Sequence, residues 1–332
     1  MILGNRMELR SRKVKPINKI VWWIGYLAVF FIFLAGCNRS NSAELWRDFA
    51  EPDTDLLLPT GLAVDSVGNV YVFDSGSHRV LKFDPAGTLL QQWGGEGSAE
   101  GQFNCYEDKG TICGLAVDGQ DNVYVVDKGN YRIQKFDADG NFILSWGSQG
   151  TGDGQFIRPI YVAVDAQGHV FVTDDRNPVV QKFDADGVFL GKWGSQGAAA
   201  GQFNHATGIA VDSEGNVYIS DYENQNIQKF DNNGRFLLTW KTGTNARTGT
   251  PEAIAIDADD RIYVTDSELK QVEIFDQNGE TLQTIALPSL GLLNRVSPYG
   301  IAVDLSGNLL VTDRANNRIV QYAVPVWTEI TE

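Results

Sequence analysis

Six copies of one pattern run in register through this chain, and a fixed period restricts the fold more than any other feature of it. The tripeptide Ala-Val-Asp or Ala-Ile-Asp ends at Asp65, Asp118, Asp165, Asp212, Asp257 and Asp304, with spacings of 53, 47, 47, 45 and 47 residues. A second Asp follows nine residues after each, at Asp74, Asp127, Asp174, Asp221, Asp266 and Asp313. A third stands ten residues further on in five copies (Asp84, Asp137, Asp184, Asp231, Asp276), where the sixth has Ala323. Four copies then place a Trp nine residues on, at Trp93, Trp146, Trp193 and Trp240, and the fifth has Ile285 there.

Each copy reads as four short strands, such as "GLAVD", "VYVFD", "VLKFD" and "TLLQQWG", with Gly, Asn and Asp marking the turns between them. A four-stranded unit of about 45 residues, repeated several times, specifies sheets packed radially around a channel. The fold class is therefore all-β, a six-bladed β-propeller with four antiparallel strands per blade. Residue size agrees with that geometry. The first strand of each unit is built from Gly, Ala, Val and Ile, as crowding near the axis requires, and the fourth carries Trp where blades diverge.

The blades are expected at about 58–104, 105–156, 157–204, 205–249, 250–295 and 296–332. After "IVQYAVPVW" the sixth unit lacks a clear fourth strand. The segment "AELWRDFAE" (Ala43–Glu51) has Trp46 and an apolar rhythm that suit it to close the ring, with residues 44–51 as the outer strand of blade 6. The alternative for this segment is a surface coil.

The units resemble NHL repeats over Leu58 to Val324. The most faithful copy is "GLAVDGQDNVYVVDKGNYRIQKFDADGNFILSWG" (Gly114–Gly147), in which Asp127, Asn130, Arg132 and Ile133 carry the core of the repeat. The arginine recurs as Arg79 and Arg318, whereas Val179, Asn226 and Gln271 stand there in the other blades. The resemblance implies the fold strongly and function weakly, because propellers host binding modules and unrelated enzymes alike. The recurring aspartates read as structural acceptors of backbone N–H groups at strand ends, not as acid–base or metal groups.

Residues 1–36 are a separate object. Arg6, Arg10, Arg12, Lys13, Lys15 and Lys19 precede an apolar run that ends in small residues, the layout of an export signal. "LAGC" (Leu34–Cys37) resembles the lipobox of bacterial lipoproteins. That resemblance implies a signal peptide at 1–36, a lipidated Cys37 and a short tether at 37–43, ahead of a propeller at 44–332. It places the domain in the bacterial cell envelope, lipid-anchored on the extracytoplasmic side of a membrane. An uncleaved signal anchor is the alternative, with the same orientation. Several acyl chains suffice for stable anchoring. Asn38–Ala43 would reach at most about 20 Å when stretched.

The chain has 3 Cys. With Cys37 assigned to the anchor, Cys105 and Cys113 remain as an even pair in an exported domain. Both lie in a connection six residues longer than "GQFIRPIYVAVD" and "GQFNHATGIAVD". A local disulfide pinning the extra loop is the expected state, and two unpaired thiols the alternative. Without the signal's six basic residues and Glu8 the chain keeps 21 basic and 41 acidic residues, a net charge of about −20. With no basic tract and an export signal, nucleic acid is excluded as a partner. The domain is expected to be monomeric, with an envelope protein, peptide or glycan as its ligand.

In a propeller the fourth-to-first connections and second-to-third loops share one face. Five residues before each repeat Asp, the chain enters the innermost strand at Thr60, Cys113, Ile160, Thr207, Glu252 and Tyr299. From these and the neighbouring loops come the ligand-face candidates Thr60, Lys128, Ile160, Arg176, Thr207, Tyr222, Glu252, Tyr299 and Arg314. Their variation from blade to blade suits a ligand surface and equally suits drift on exposed loops. No catalytic residue, metal site or cofactor is expected. Amidating lyases of this propeller type hold zinc by histidines at the inner strand mouths, and none of the six places here is His. Lactonase-like propellers hold calcium with a ring of oxygens that Glu252 alone does not supply. The resulting expectation is an envelope-tethered binding module. A lyase or lactonase-like hydrolase acting at the channel mouth is the alternative.

Overall fold

The computed structural model describes residues 44–49, 54–105, 112–244, 247–287 and 296–324. They form six four-stranded antiparallel sheets and one two-stranded hairpin, Gly243–Thr244 with Arg247–Thr248. Blade 1 comprises Pro59–Val64, Val70–Asp74, Arg79–Phe83 and Leu89–Gly94. The inner strands of blades 2 to 6 are Leu115–Val117, Pro159–Val164, Ala206–Val211, Pro251–Ile256 and Pro298–Val303. Each inner strand contacts the next, and the sixth returns to the first, so the ring is closed. Residues 1–36, expected to be a signal peptide, and Cys37 lie outside the described residues, and among the described residues no helix is long and apolar enough to cross a membrane.

The outer strand of blade 6 is Glu44–Asp48, which pairs antiparallel with Arg318–Ala323. Its register puts Leu45 opposite Tyr322 and Asp48 opposite Val320. Phe49 then donates its N–H to Ile319 O at 2.8 Å and meets Phe83 of blade 1 edge-on, ring centroids 5.9 Å apart.

Burial follows the sequence pattern. The second strands, such as "VYVFD" and "VFVTD", are buried at every position, whereas outer strands such as Phe189–Trp193 alternate between half-buried and exposed. Each Trp of blades 1 to 4 lies over a turn glycine of the following blade: Trp93 over Gly140, Trp146 over Gly187, Trp193 over Gly234, Trp240 over Gly279. At Gly234 a Cβ would stand 2.5 Å from the Trp193 ring, and φ is +82°, so both space and backbone require glycine there.

Near the axis the blades are joined by hydroxyl rungs. The residue before the second Asp is Thr173, Ser220, Thr265 or Thr312 in blades 3 to 6. Each donates to a carbonyl on the next inner strand: Thr207 O at 2.8 Å, Glu252 O at 2.7 Å, Tyr299 O at 3.1 Å and Thr60 O at 3.3 Å. Blades 1 and 2 have Phe73 and Val126 instead. There the joints are Thr60 Oγ1 to Cys113 O at 3.1 Å and Gly114 N–H to Ile160 O at 2.7 Å.

The aspartates have the structural roles their recurrence implied. Asp212 at the first place accepts the N–H groups of Glu214 and Asn216 and the Tyr218 hydroxyl. At the second place Asp174 accepts Ile157 and Arg158 N–H, and Asp221 accepts Asn204 and His205 N–H, which fixes the incoming connection. Arg79, Arg132 and Arg318 bind Asp74, Asp127 and Asp313 at 3.1, 2.6 and 3.0 Å. Cys105 and Cys113 form a disulfide, with Cα atoms 6.5 Å apart.

Candidate functional site

The connections fixed by the second aspartates and the loops that follow them gather around one end of the channel. A cavity of about 230 Å³ opens there. Blade 2 contributes Ile112 and Lys128, blade 3 Arg158 and Ile160, and blade 4 His205, Thr207 and Tyr222; Glu252 and Tyr299 complete it from blades 5 and 6. Cavities of about 270 and 390 Å³ lie at the other face, against the turns around Gly68 and Gly307. Their carboxylates Asp304 and Asp257 are engaged by turn N–H groups, so the channel mouth is the better site despite its smaller volume.

Two features make the mouth chemically distinct. The first is a convergence on Asp175, which is buried: His205 Nε2 lies 3.0 Å and Arg158 Nε 3.3 Å from its Oδ2. The His205 ring packs at a tilt against Tyr222, centroids 5.5 Å apart. The second is Glu252, 5% exposed, whose Oε1 accepts the Ser267 hydroxyl at 2.8 Å. Burial pushes its carboxyl up to about 7, against the opposing pulls of Ser267 and His205.

That shift fixes a pH dependence. A carboxyl raised in the folded state from 4.5 to about 7 contributes full stability below pH 4.5, and the contribution is lost as pH rises through 7. The linked loss is about 3 kcal/mol for a shift of this size. Glu252→Gln, which retains a side-chain acceptor for Ser267, is expected to match wild type at pH 4.5 in urea unfolding and to exceed it by about 2–3 kcal/mol at pH 8.5. Equal pH slopes for the two proteins would refute the assignment.

Of the residues marked on the sequence, the structure brings Lys128, Ile160, Thr207, Tyr222, Glu252 and Tyr299 together at this cavity. Arg314 stands behind Tyr299, its guanidinium 5.2 Å from the ring centroid. Thr60 is not on the ligand surface: it is fully buried, bonded to Ser75 Oγ at 2.6 Å and to Cys113 O. Arg176 is exposed and does not line the cavity; its N–H is accepted by Asp174 Oδ1 at 3.2 Å. His205, Arg158 and Ile112 were missed, since they precede the strand mouths used to choose candidates.

A further miss is Tyr161. The place four residues before each repeat Asp holds Gly61, Gly114, Tyr161, Gly208, Ala253 and Gly300, so Tyr161 alone is bulky. Its hydroxyl is buried without a hydrogen-bond partner, within electrostatic reach of Glu252, Tyr299 and Arg314. Asp175 Oδ1 and Arg314 Nε are likewise buried and unpartnered. That break in a run of small residues is the signal the sequence offered. Among the described residues no group of three or more His, Cys, Asp or Glu side chains is arranged to hold a metal.

Sheets closed in a ring around a channel with a polar mouth define a six-bladed β-propeller. The NHL repeat profile matches residues 56–83, 114–136 and 203–230. The chain therefore carries NHL repeats within a six-bladed propeller. Peptidyl-glycine alpha-amidating monooxygenase A of Xenopus laevis is 30% identical over 138 residues, 37% of this chain and 14% of that protein. NHL repeat-containing protein 3 of Homo sapiens is 33% identical over 100 residues, 29% of this chain and 27% of that protein. The chain thus spans well under two thirds of the curated relatives it matches. A solved streptogramin B lyase superposes with a TM-score of 0.61 at 14% identity, covering 84% of this chain and 97% of that one, a likeness of fold alone.

Proposed function

We propose that this protein is an envelope-tethered binding propeller that holds its ligand, the end of a peptide, protein or glycan, at the channel mouth. The carrying observation is the set of buried polar atoms left unpartnered around that mouth, Tyr161 Oη, Asp175 Oδ1 and Arg314 Nε. Buried polar groups are ordinarily hydrogen-bonded, and three exceptions at one place mark where a polar ligand completes the set. The tether is the lipid on Cys37, supported by the "LAGC" sequence.

Two tests apply. Cys37→Ser is expected to abolish labelling by a palmitate analogue, and labelling that persists removes the anchor. A photo-crosslinking amino acid at Tyr222, on the mouth, is expected to give discrete adducts in intact cells, whereas the same group at Val67 on the opposite face gives none. The same adducts from both positions, or none from either, would overturn the ligand face.

A second reading has its own observation. The His205–Asp175 pair and the raised carboxyl of Glu252 are groups suited to proton transfer, and perturbed titration clusters at catalytic sites. A probable peptidyl-alpha-hydroxyglycine alpha-amidating lyase of Caenorhabditis elegans, 36% identical over 87 residues, supports as that alternative a lyase acting on a small molecule or peptide end at the same mouth.

A further inference from the structure

The face opposite the channel mouth has a chemistry of its own, and the inference drawn from it rests on the lipid tether at Cys37. We propose that the sector of this face where blade 6 meets blade 1 lies on the lipid bilayer, with Leu305 and Val67 entering it, so that the mouth points away from the membrane.

Strand register sets the direction. In blade 6 Leu45 stands opposite Tyr322, and Tyr322 opposite Leu309, the first strand residue after the turn Asp304–Asn308. The chain therefore enters the domain at Glu44 on the face that carries this turn, whereas Asp313 and Arg318 pair at the mouth end. Asn38–Ala43 reaches at most about 20 Å, so a lipid on Cys37 brings this face to the bilayer first. The mouth stands further off by the length of a strand, about 17–20 Å.

The side chains beside that entry are apolar. Leu305 and Val67 are 68% and 66% exposed, more than any other large apolar side chain among the described residues, and both stand at turns. They form one patch: a Cβ on Gly68 would stand 3.3 Å from Pro85 Cγ and 3.4 Å from Leu305 Cδ1, so the turns of the two blades meet there. Between them opens the recess of about 270 Å³, lined further by Phe49, Val70 and Leu310. A patch of this kind next to a point of lipid attachment suits the boundary between headgroups and acyl chains.

Charge selects the same sector. The turns of this face in blades 1 and 6, "SVGN", "PAGT" and "LSGN", contain no charged residue. Each of blades 2 to 5 places at least one carboxylate in its turns, such as Asp139, Asp186, Glu214 and Asp259. Of the acids that flank the patch, Asp121 accepts the Ser66 N–H and hydroxyl at 2.9 and 2.8 Å, and Asp259 is paired with Arg261 at 2.7 Å. An anionic headgroup layer repels carboxylates, so this sector is the part of an acidic domain that approaches it at least cost.

The test uses the full chain, carrying its lipid, in vesicles of phosphatidylethanolamine and phosphatidylglycerol. A fluorophore is attached to Leu305→Cys, to Val67→Cys, to Ala166→Cys on the same face of blade 3, or to Glu223→Cys in a loop of the mouth; each site is exposed. Lipids spin-labelled on the acyl chain are expected to quench the first two labels at least threefold more than the last two. Leu305→Asp is expected to bring quenching at Val67→Cys down to the control level, while the protein still floats with the vesicles. Protein that floats but shows no excess quenching at Leu305 and Val67, or shows most at Glu223, overturns the membrane face and leaves the tether standing. A label at Leu305 shielded from aqueous iodide yet untouched by the lipid quencher gives the patch to a protein partner and overturns the lipid assignment. Protein that neither floats nor takes up a palmitate analogue removes the tether, and the membrane face with it.

Discussion

Gly300→Ala is expected to destabilise the propeller by about 3–5 kcal/mol, enough to remove much of the stability of an ordinary domain. A Cβ at this position would overlap Thr60 O and stand 3.1 Å from Thr60 C and 3.2 Å from Thr312 Oγ1. All three belong to the seam where blade 6 meets blade 1. Two of them are backbone, so no rotamer change relieves the clash. The seam would have to part, and with it the bond from Gly300 N–H to Thr312 Oγ1 at 2.7 Å and that from Thr312 to Thr60 O. The cost is steric and not conformational, since Gly300 has no positive φ. Gly119→Ala is the matched control, because a Cβ there meets nothing within 4 Å. Urea unfolding of the two variants separates them, and a loss below 1 kcal/mol at Gly300 would contradict the packing at this seam.

Deleting residues 44–49 is expected to lower the melting temperature by at least about 10 °C and to make the domain self-associate. The deletion strips blade 6 of its outer strand and leaves the backbone of Arg318–Ala323 as an open edge. It also removes Phe49, 3% exposed and packed in one cluster with Leu56, Phe83, Leu310 and Ile319. Phe49→Ala alone is expected to cost about 3 kcal/mol through the cavity it leaves, with no self-association, because the strand pairing survives. Sedimentation and thermal melts of both proteins check the distinction. An unchanged melt for the deletion would show that the ring is held by its inner strands alone.

The fold was legible because the repeat writes one physical demand in all six copies, a first strand of small and β-branched residues at the axis and a buried second strand ending in an Asp, with an outer Trp in four of them. Single departures from it are easy to recognise once the register is known. The mouth was legible only in part. Glu252, Tyr299 and Tyr222 were found by counting back from the repeat Asp or into the loop after the second. His205 and Arg158 meet at Asp175 through loops whose path is set by N–H bonds to Asp221 and Asp174, and no spacing in the sequence reports that convergence. Thr60 shows the opposite error. It holds the same register place as Glu252, yet its short side chain turns into the seam and bonds Ser75 and Cys113. Tyr161 was visible as the only bulky residue in its column, but that column sits one residue beyond the one counted.

The rungs between blades carry one more implication. Four joints of the hoop are riveted by Thr173, Ser220, Thr265 and Thr312, whereas the two on either side of blade 2 are not, because Phe73 and Val126 have nothing to donate. The Cys105–Cys113 crosslink is fastened to that same stave, and Cys105 N–H reaches back to His78 Nδ1 of blade 1 at 3.2 Å. An oxidising milieu thus reinforces the molecule where the second-strand rungs are missing and only Thr60 Oγ1, on Cys113 O, lends a hydroxyl, and a reducing one would let it fray first at blade 2.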